Sequence, residues 1–281
     1  MNKAKTKLSF IIILSVIVIL ISAFVLAQPG KERVLATNQK SGNTVTIPAH
    51  AVQVAENVFS LGIATDVDGN VVEGYAIIHK KDGNAKPPWA GGGNGGGSTC
   101  YGFLANGAKW KIIEPYMVNP ANTRGLSSTF VTGNLAADIA KWETAATKNI
   151  LGDEIAGIVD GADRVSPDNK NEVYFADITE SGVIGITIVW GYFSGPPSWR
   201  ELVEWDQVYD DVSFDWSATG EEGKMDFENI ATHELGHSVG MADLYDSVCS
   251  QETMYGYASE GETNKRSLEA GDIAGVKKLY S

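Results

Sequence analysis

Histidine and cysteine are scarce in this chain of 281 residues: four of the first and two of the second. No histidine falls between His79 and His233, so a metal site built on imidazoles has few positions to draw on. Positive charge is also short. Lys and Arg total 22 against 35 Asp and Glu, for a formal net charge of -13. Phosphate binding wants a basic surplus, so nucleic acid is excluded as a partner. No internal repeat is present. The glycine run at 91–97 lacks the Lys-Ser/Thr and the apolar helix that a phosphate-binding loop requires, and reads as a flexible linker. The bulk composition, 43% hydrophobic and 20% charged, is ordinary for a globular protein and can bury a core.

At the N-terminus, Lys3, Lys5 and Lys7 precede an apolar run from Leu8 to Ala27, broken only by Ser9, Ser15 and Ser22. A basic start followed by such a run marks export. The run is longer than a usual signal core and about long enough to span a bilayer. Residues 1–27 therefore read as a signal peptide or as an N-terminal membrane anchor. In either case the chain after Gln28 lies outside, secreted or held at the outer face of the membrane. An even cysteine count in an exported chain suggests one disulfide, Cys100–Cys249. Free thiols, or Cys100 as an inhibitory metal thiolate, are the alternatives.

Residues 28–90 carry short apolar runs around a turn signal at Asp68-Gly69-Asn70 and read as a small β-rich module. The linker at 91–98 separates it from a larger α/β domain over 99–281. There, Trp110–Val118, Glu172–Ile178, Val183–Trp190 and Leu202–Tyr209 are expected strands. Ser127–Asn149 is an expected helix with Val131, Leu135, Ile139, Trp142 and Ala146 on one face. Asp226–Val239 and Ser267–Tyr280 are expected helices.

The chemistry concentrates in the segment from His233 to Asp243. His233 and His237, four apart, lie on one helical face and can reach one ion. Glu234 projects to the side where water on that ion would sit. Gly240 can end the helix in a left-handed conformation and let the chain turn back to offer Asp243 as third ligand. Asp246 and Glu252 are rivals for that role. Three protein ligands and an open position describe a catalytic zinc site.

This segment resembles the metzincin signature, HExxHxxGxx followed by His or Asp. The Asp form is similar to snapalysin-like and prokaryotic matrixin-like enzymes. Thr253-Met254-Tyr255-Gly256-Tyr257 resembles the Met-turn beneath the metal of that clan, and Asp272–Tyr280 resembles the closing helix of matrixins. Glu172–Phe175 and Ile184–Trp190 resemble their inner and edge strands. The resemblance implies a twisted mixed sheet with one long helix, the active-site helix, the Met-turn and a C-terminal helix, preceded by the small β module.

It also implies an endopeptidase that hydrolyses protein or peptide bonds as a monomer. Glu234 would be general base and acid, Met254 a hydrophobic floor, and Val183–Trp190 the edge on which substrate lies, through Ile186 and Ile188. Tyr257 would line the cleft or bind the oxyanion. One catalytic zinc is expected, since the histidines of the matrixins' second, structural zinc are missing. The acidic stretch Asp153–Asp168 could hold calcium or be solvated loop. Cys100 lacks the surroundings of the family's inhibitory cysteine, which favours its pairing with Cys249. Residues 28–98 could act as a propeptide.

Overall fold

The computed structural model describes residues 44–81 and 100–281. The apolar run at 8–27 and the glycine linker lie outside them. Among the described residues no helix is long and apolar enough to cross a membrane.

A nine-stranded mixed sheet forms the frame. Its strands are β1 (Thr44–Val45), β2 (Val52–Ala55), β3 (Val58–Thr65), β4 (Val71–Lys81), β5 (Tyr116–Asn119), β6 (Asn171–Ile178), β7 (Val183–Tyr192), β8 (Glu201–Asp210) and β11 (Tyr257–Ala258). A separate short pair is made by β9 (Trp216–Ser217) and β10 (Met225–Asp226). The main path runs β1-β6-β8-β7-β4-β3-β2, with β5 on β6 and β11 on β4. β6 is parallel to β8, and β7 is antiparallel to β8 and to β4. Of the expected strand over Trp110–Val118, only its end is extended as β5.

Three helices cover one face of the sheet. α1 (Ser128–Ala146) is capped by Ser127, whose hydroxyl accepts from the Phe130 amide, and stops at Thr147 in a left-handed conformation. The expected face of Val131, Leu135, Ile139, Trp142 and Ala146 is buried. α2 (Phe227–Ser238) packs between α1 and the sheet, and α3 (Ala270–Tyr280) closes the chain. Strand alternation sends Ile77, Phe175, Val189, Trp205 and Tyr209 to the helical core. Ala76, Ile78, Ile186, Ile188 and Val208 go to a second core on the opposite face.

Two sequence expectations change here. The strands between Thr44 and Lys81 continue the same sheet as the C-terminal region, through the β4–β7 ladder, instead of forming a sheet of their own. As a consequence β7 is not an edge. It lies between β8 and β4. The alternation of a strand tells which face it buries but not which strand lies beside it.

Candidate active site

Local chemistry fixes α2 at both ends. Asp226 caps it by accepting from the Asn229 amide at 3.1 Å, and Arg266 grips the same carboxylate at 2.8 and 2.6 Å. Gly236 lets the helix approach its floor: a Cβ there would lie 2.1 Å from Met254 Sδ and 2.7 Å from the Trp142 ring. At the other end Gly240 takes φ +100°, and a Cβ would meet the Ala108 carbonyl at 2.8 Å. The chain can therefore turn only with glycine at this position, and it brings Asp243 back to the helix.

His233, His237 and Asp243 converge as the motif spacing predicts. His233 Nδ1 lies 2.7 Å from the Thr253 carbonyl and His237 Nδ1 lies 3.0 Å from the Met241 carbonyl. Donation from both Nδ1 atoms leaves both Nε2 atoms as acceptors for a cation. Those Nε2 atoms stand 3.1 and 3.4 Å from Asp243 Oδ1. All three atoms are buried with no hydrogen-bond partner. Zinc bonds of about 2.0–2.1 Å in a tetrahedron place ligand atoms roughly 3.3 Å apart, so the set fits that ion. The electrostatics agree. Asp243 is pulled well below the usual carboxylate range by the two histidines, against its burial, and Asp243 outweighs burial to lift His237 to about 9. The point between them attracts positive charge.

The rivals to Asp243 are engaged elsewhere. Asp246 is exposed and accepts from the Val248 amide. Glu252 accepts from the Gly271 and Asp272 amides at the start of α3. Met254 is fully buried under α2. Its turn is held by Asp272, which accepts from the Thr253 and Met254 amides at 2.7 and 3.2 Å.

Glu234 is buried on the side of α2 facing β7. Thr187 donates to its Oε2 at 2.5 Å, and a Cβ at Gly185 would come within 3.0 Å of its Oε1. Burial raises its pKa, but His79 and the two motif histidines outweigh burial and hold it below its usual value. It is therefore ionised at neutral pH and can accept a proton.

Several groups at the site do not follow from the motif. His79, on β4, lies 3.2 Å by its Nδ1 from Glu234 Oε1 and stacks on His233 with ring centroids 3.8 Å apart. It is fully buried, and burial followed by the neighbouring His233 lowers its pKa to about 4. Tyr245 donates to Asp243 Oδ2 at 2.9 Å. Nothing in the local sequence around His79 signals a site, whereas Tyr245 sits two residues past the ligand it supports.

The structure also places the expected substrate contacts. The side chains of Ile186 and Ile188 sit in the second core, on the face away from Glu234, and Gly185 and Thr187 face it instead. Tyr257 is near the site but its hydroxyl is bonded to Glu56 of the β2–β3 turn. Cys100 and Cys249 form a disulfide with Cα atoms 5.3 Å apart, which removes Cys100 as a thiolate ligand.

A second polar cluster joins the segment before β6 to the N-terminal half of β8. Carboxylate oxygens of Asp163, Asp168 and Glu204 fall within 4.8 Å of one another. Glu204 Oε1 is buried without a hydrogen-bond partner. Burial, with neighbouring acids adding, pushes Glu204 up to about 10 and Asp163 to about 6. Burial also pushes Glu172 to about 7, against backbone amides that favour its charge.

Two histidines and a glutamate on one helix, a carboxylate returned past a glycine turn and a methionine floor resemble the metal centre of metzincins. Residues 169–281 match the family model described as Matrixin. Matrilysin from Rattus norvegicus is 43% identical over 61 residues, which is 22% of this chain and 22% of that protein. The match thus spans about a fifth of that relative's length. Over this region the chain is similar to matrixins.

Proposed function

We propose that this chain is an exported zinc-dependent endopeptidase acting on protein or peptide substrates as a monomer, with Glu234 as its general base and acid. The observation that carries the reading is the trio of buried, unpartnered ligand atoms on His233, His237 and Asp243 beside an ionised Glu234. Zinc held there would polarise a scissile carbonyl and acidify water. Thr187 holds the Glu234 carboxylate in place, so that its Oε1 can take a proton from that water and return it to the leaving amine. Met254 and Trp142 support the helix beneath and set its height against β7.

Export rests on the basic and apolar N-terminus, which leaves signal peptide and anchor as alternatives. Calcium is proposed at the Asp163, Asp168 and Glu204 cluster, where an orphaned buried carboxylate oxygen asks for a cation.

The test is hydrolysis of unfolded protein by the zinc-loaded chain, before and after cleavage between Lys81 and Cys100, with and without a chelator, alongside Glu234→Gln. The variant should bind one zinc with unchanged affinity and lose at least about a hundredfold in turnover. Equal turnover in the variant would overturn the assignment of the base.

A further inference from the structure

We propose that β4 is an intramolecular occupant of the peptide-binding slot, with His79 as its plug over Glu234, so that the chain folded in this way is latent. The proposal rests on the peptidase reading above and names how that site is regulated.

Strand pairing makes the case first. A peptide that adds to a sheet in the active site must run beside the strand facing the catalytic glutamate. That strand is β7, whose Gly185 and Thr187 touch Glu234. The place beside it is taken by β4, which runs antiparallel with Ile77 opposite Thr187, Ile78 opposite Ile186 and His79 opposite Gly185. On its other side the end of β4 pairs in parallel with β11, Lys80 with Tyr257 and Lys81 with Ala258. β11 follows directly on the Met254 turn. β4 therefore crosses the centre between two walls, both built by the matrixin-like region.

His79 gives the second, independent line. The position sits where a substrate residue would face the metal. It carries a fully buried imidazole whose Nδ1 faces Glu234 Oε1 at 3.2 Å and whose Nε2 has no hydrogen-bond partner. A strand that only filled the core would do better with an apolar side chain, because an unpartnered buried polar group is costly. Neighbouring residues of the strand follow that rule: Ala76, Ile77 and Ile78 are apolar and buried. Placed on His233 and 3.2 Å from Glu234, the ring blocks the proton carrier and can serve as an extra ligand for the ion. His233, Glu234 and His237 have no exposed surface at all.

The β2–β3 turn seals the remaining side. The Asn57 amide donates to Tyr245 at 3.0 Å, and Glu56 bonds Tyr257 through its carboxylate and Tyr245 through its carbonyl. The segment thus holds both the glutamate and the support of the third ligand.

The test uses the zinc-loaded exported chain with its disulfide intact and a specific protease sequence inserted between Lys81 and Cys100. Two readouts are taken, hydrolysis of unfolded protein and binding of acetohydroxamate and of a peptide hydroxamate to the zinc. Uncut chain should bind neither ligand well and hydrolyse little. Cutting and releasing the 44–81 fragment should raise affinity for the peptide hydroxamate at least a hundredfold, and adding the fragment back should reverse it. His79→Ala in the uncut chain leaves the strand in place. It should admit the small acetohydroxamate at least tenfold better while still excluding the peptide hydroxamate. Peptide hydroxamate binding that is equal in uncut and released forms overturns the proposal, as does a fragment that can be removed only by unfolding the rest. If the released form binds the peptide hydroxamate but hydrolyses nothing, the slot assignment stands and the peptidase reading fails.

Discussion

Each candidate metal ligand is held by a second group that fixes its direction. The Thr253 and Met241 carbonyls orient the two imidazoles, and Tyr245 orients Asp243. Losing such a partner typically costs ten- to a hundredfold in metal affinity. Tyr245→Phe is therefore expected to weaken zinc by about that factor in a competition titration, while Asp243→Ala should lose tight binding altogether. Asp243→His should retain metal, since imidazole is also a good zinc ligand. An Asp243→Ala chain that holds zinc as tightly as the parent would remove Asp243 from the ligand set. Elemental analysis should find about one tightly bound zinc per chain, because three of the four histidines meet at this site and His50 lies instead against the Leu61 carbonyl.

The active-site helix works as an element because its underside is flat. Gly236→Ala would drive a methyl group into Met254 and Trp142. Overpacking of this kind usually costs about 1–3 kcal/mol, so chemical unfolding should show a loss in that range, with tighter zinc in no case. Helices α1, α2 and α3 were legible in the sequence, since periodicity, caps and the glycine stop are all local signals. The convergence of His233, His237 and Asp243 was legible for the same reason, since His233 to Asp243 is one short segment. The neighbours of β7 were not. An antiparallel strand reads alike at an edge and in the interior when both of its faces are buried, and only the long-range pairing with β4 decides. His79 was hidden by the same distance in sequence. Which face of β7 meets the glutamate was hidden too, because an irregularity between His79 and Lys80 in the β4–β7 ladder accompanies the turn of Gly185 and Thr187 towards Glu234 while Ile186 and Ile188 enter the second core.

Over the whole molecule, the start of the 100–281 region is tied to the segment before the Met254 turn by the Cys100–Cys249 bridge, 149 residues apart in sequence. Replacing both cysteines with serine should cost about 2–5 kcal/mol in unfolding experiments. The acidic cluster gives a further prediction, and its sign follows from the raised values of Asp163 and Glu204 within it and of the nearby Glu172. Glu172 at about 7 and Asp163 at about 6 both exceed their usual values near 4, and Glu204 stands at about 10. The folded state therefore holds more protons than the unfolded chain between about pH 4 and these values, and stability falls as pH rises through that window. Most of the fall from Asp163 and Glu172 should be complete by pH 7, and that from Glu204 should continue towards pH 10. Asp138, raised by burial to about 7, adds to the slope from a separate place under α1 and α2. A divalent cation at the cluster replaces the missing protons, so calcium should raise the melting temperature clearly at pH 8 and little at pH 5. It should remove only the cluster's part of the slope, leaving that of Asp138. A melting temperature that calcium moves equally at both pH values would place the ion elsewhere, and Glu204→Gln should then leave the calcium effect intact. If the cluster is the site, the same substitution removes the high-pH calcium effect and flattens the fall above pH 7.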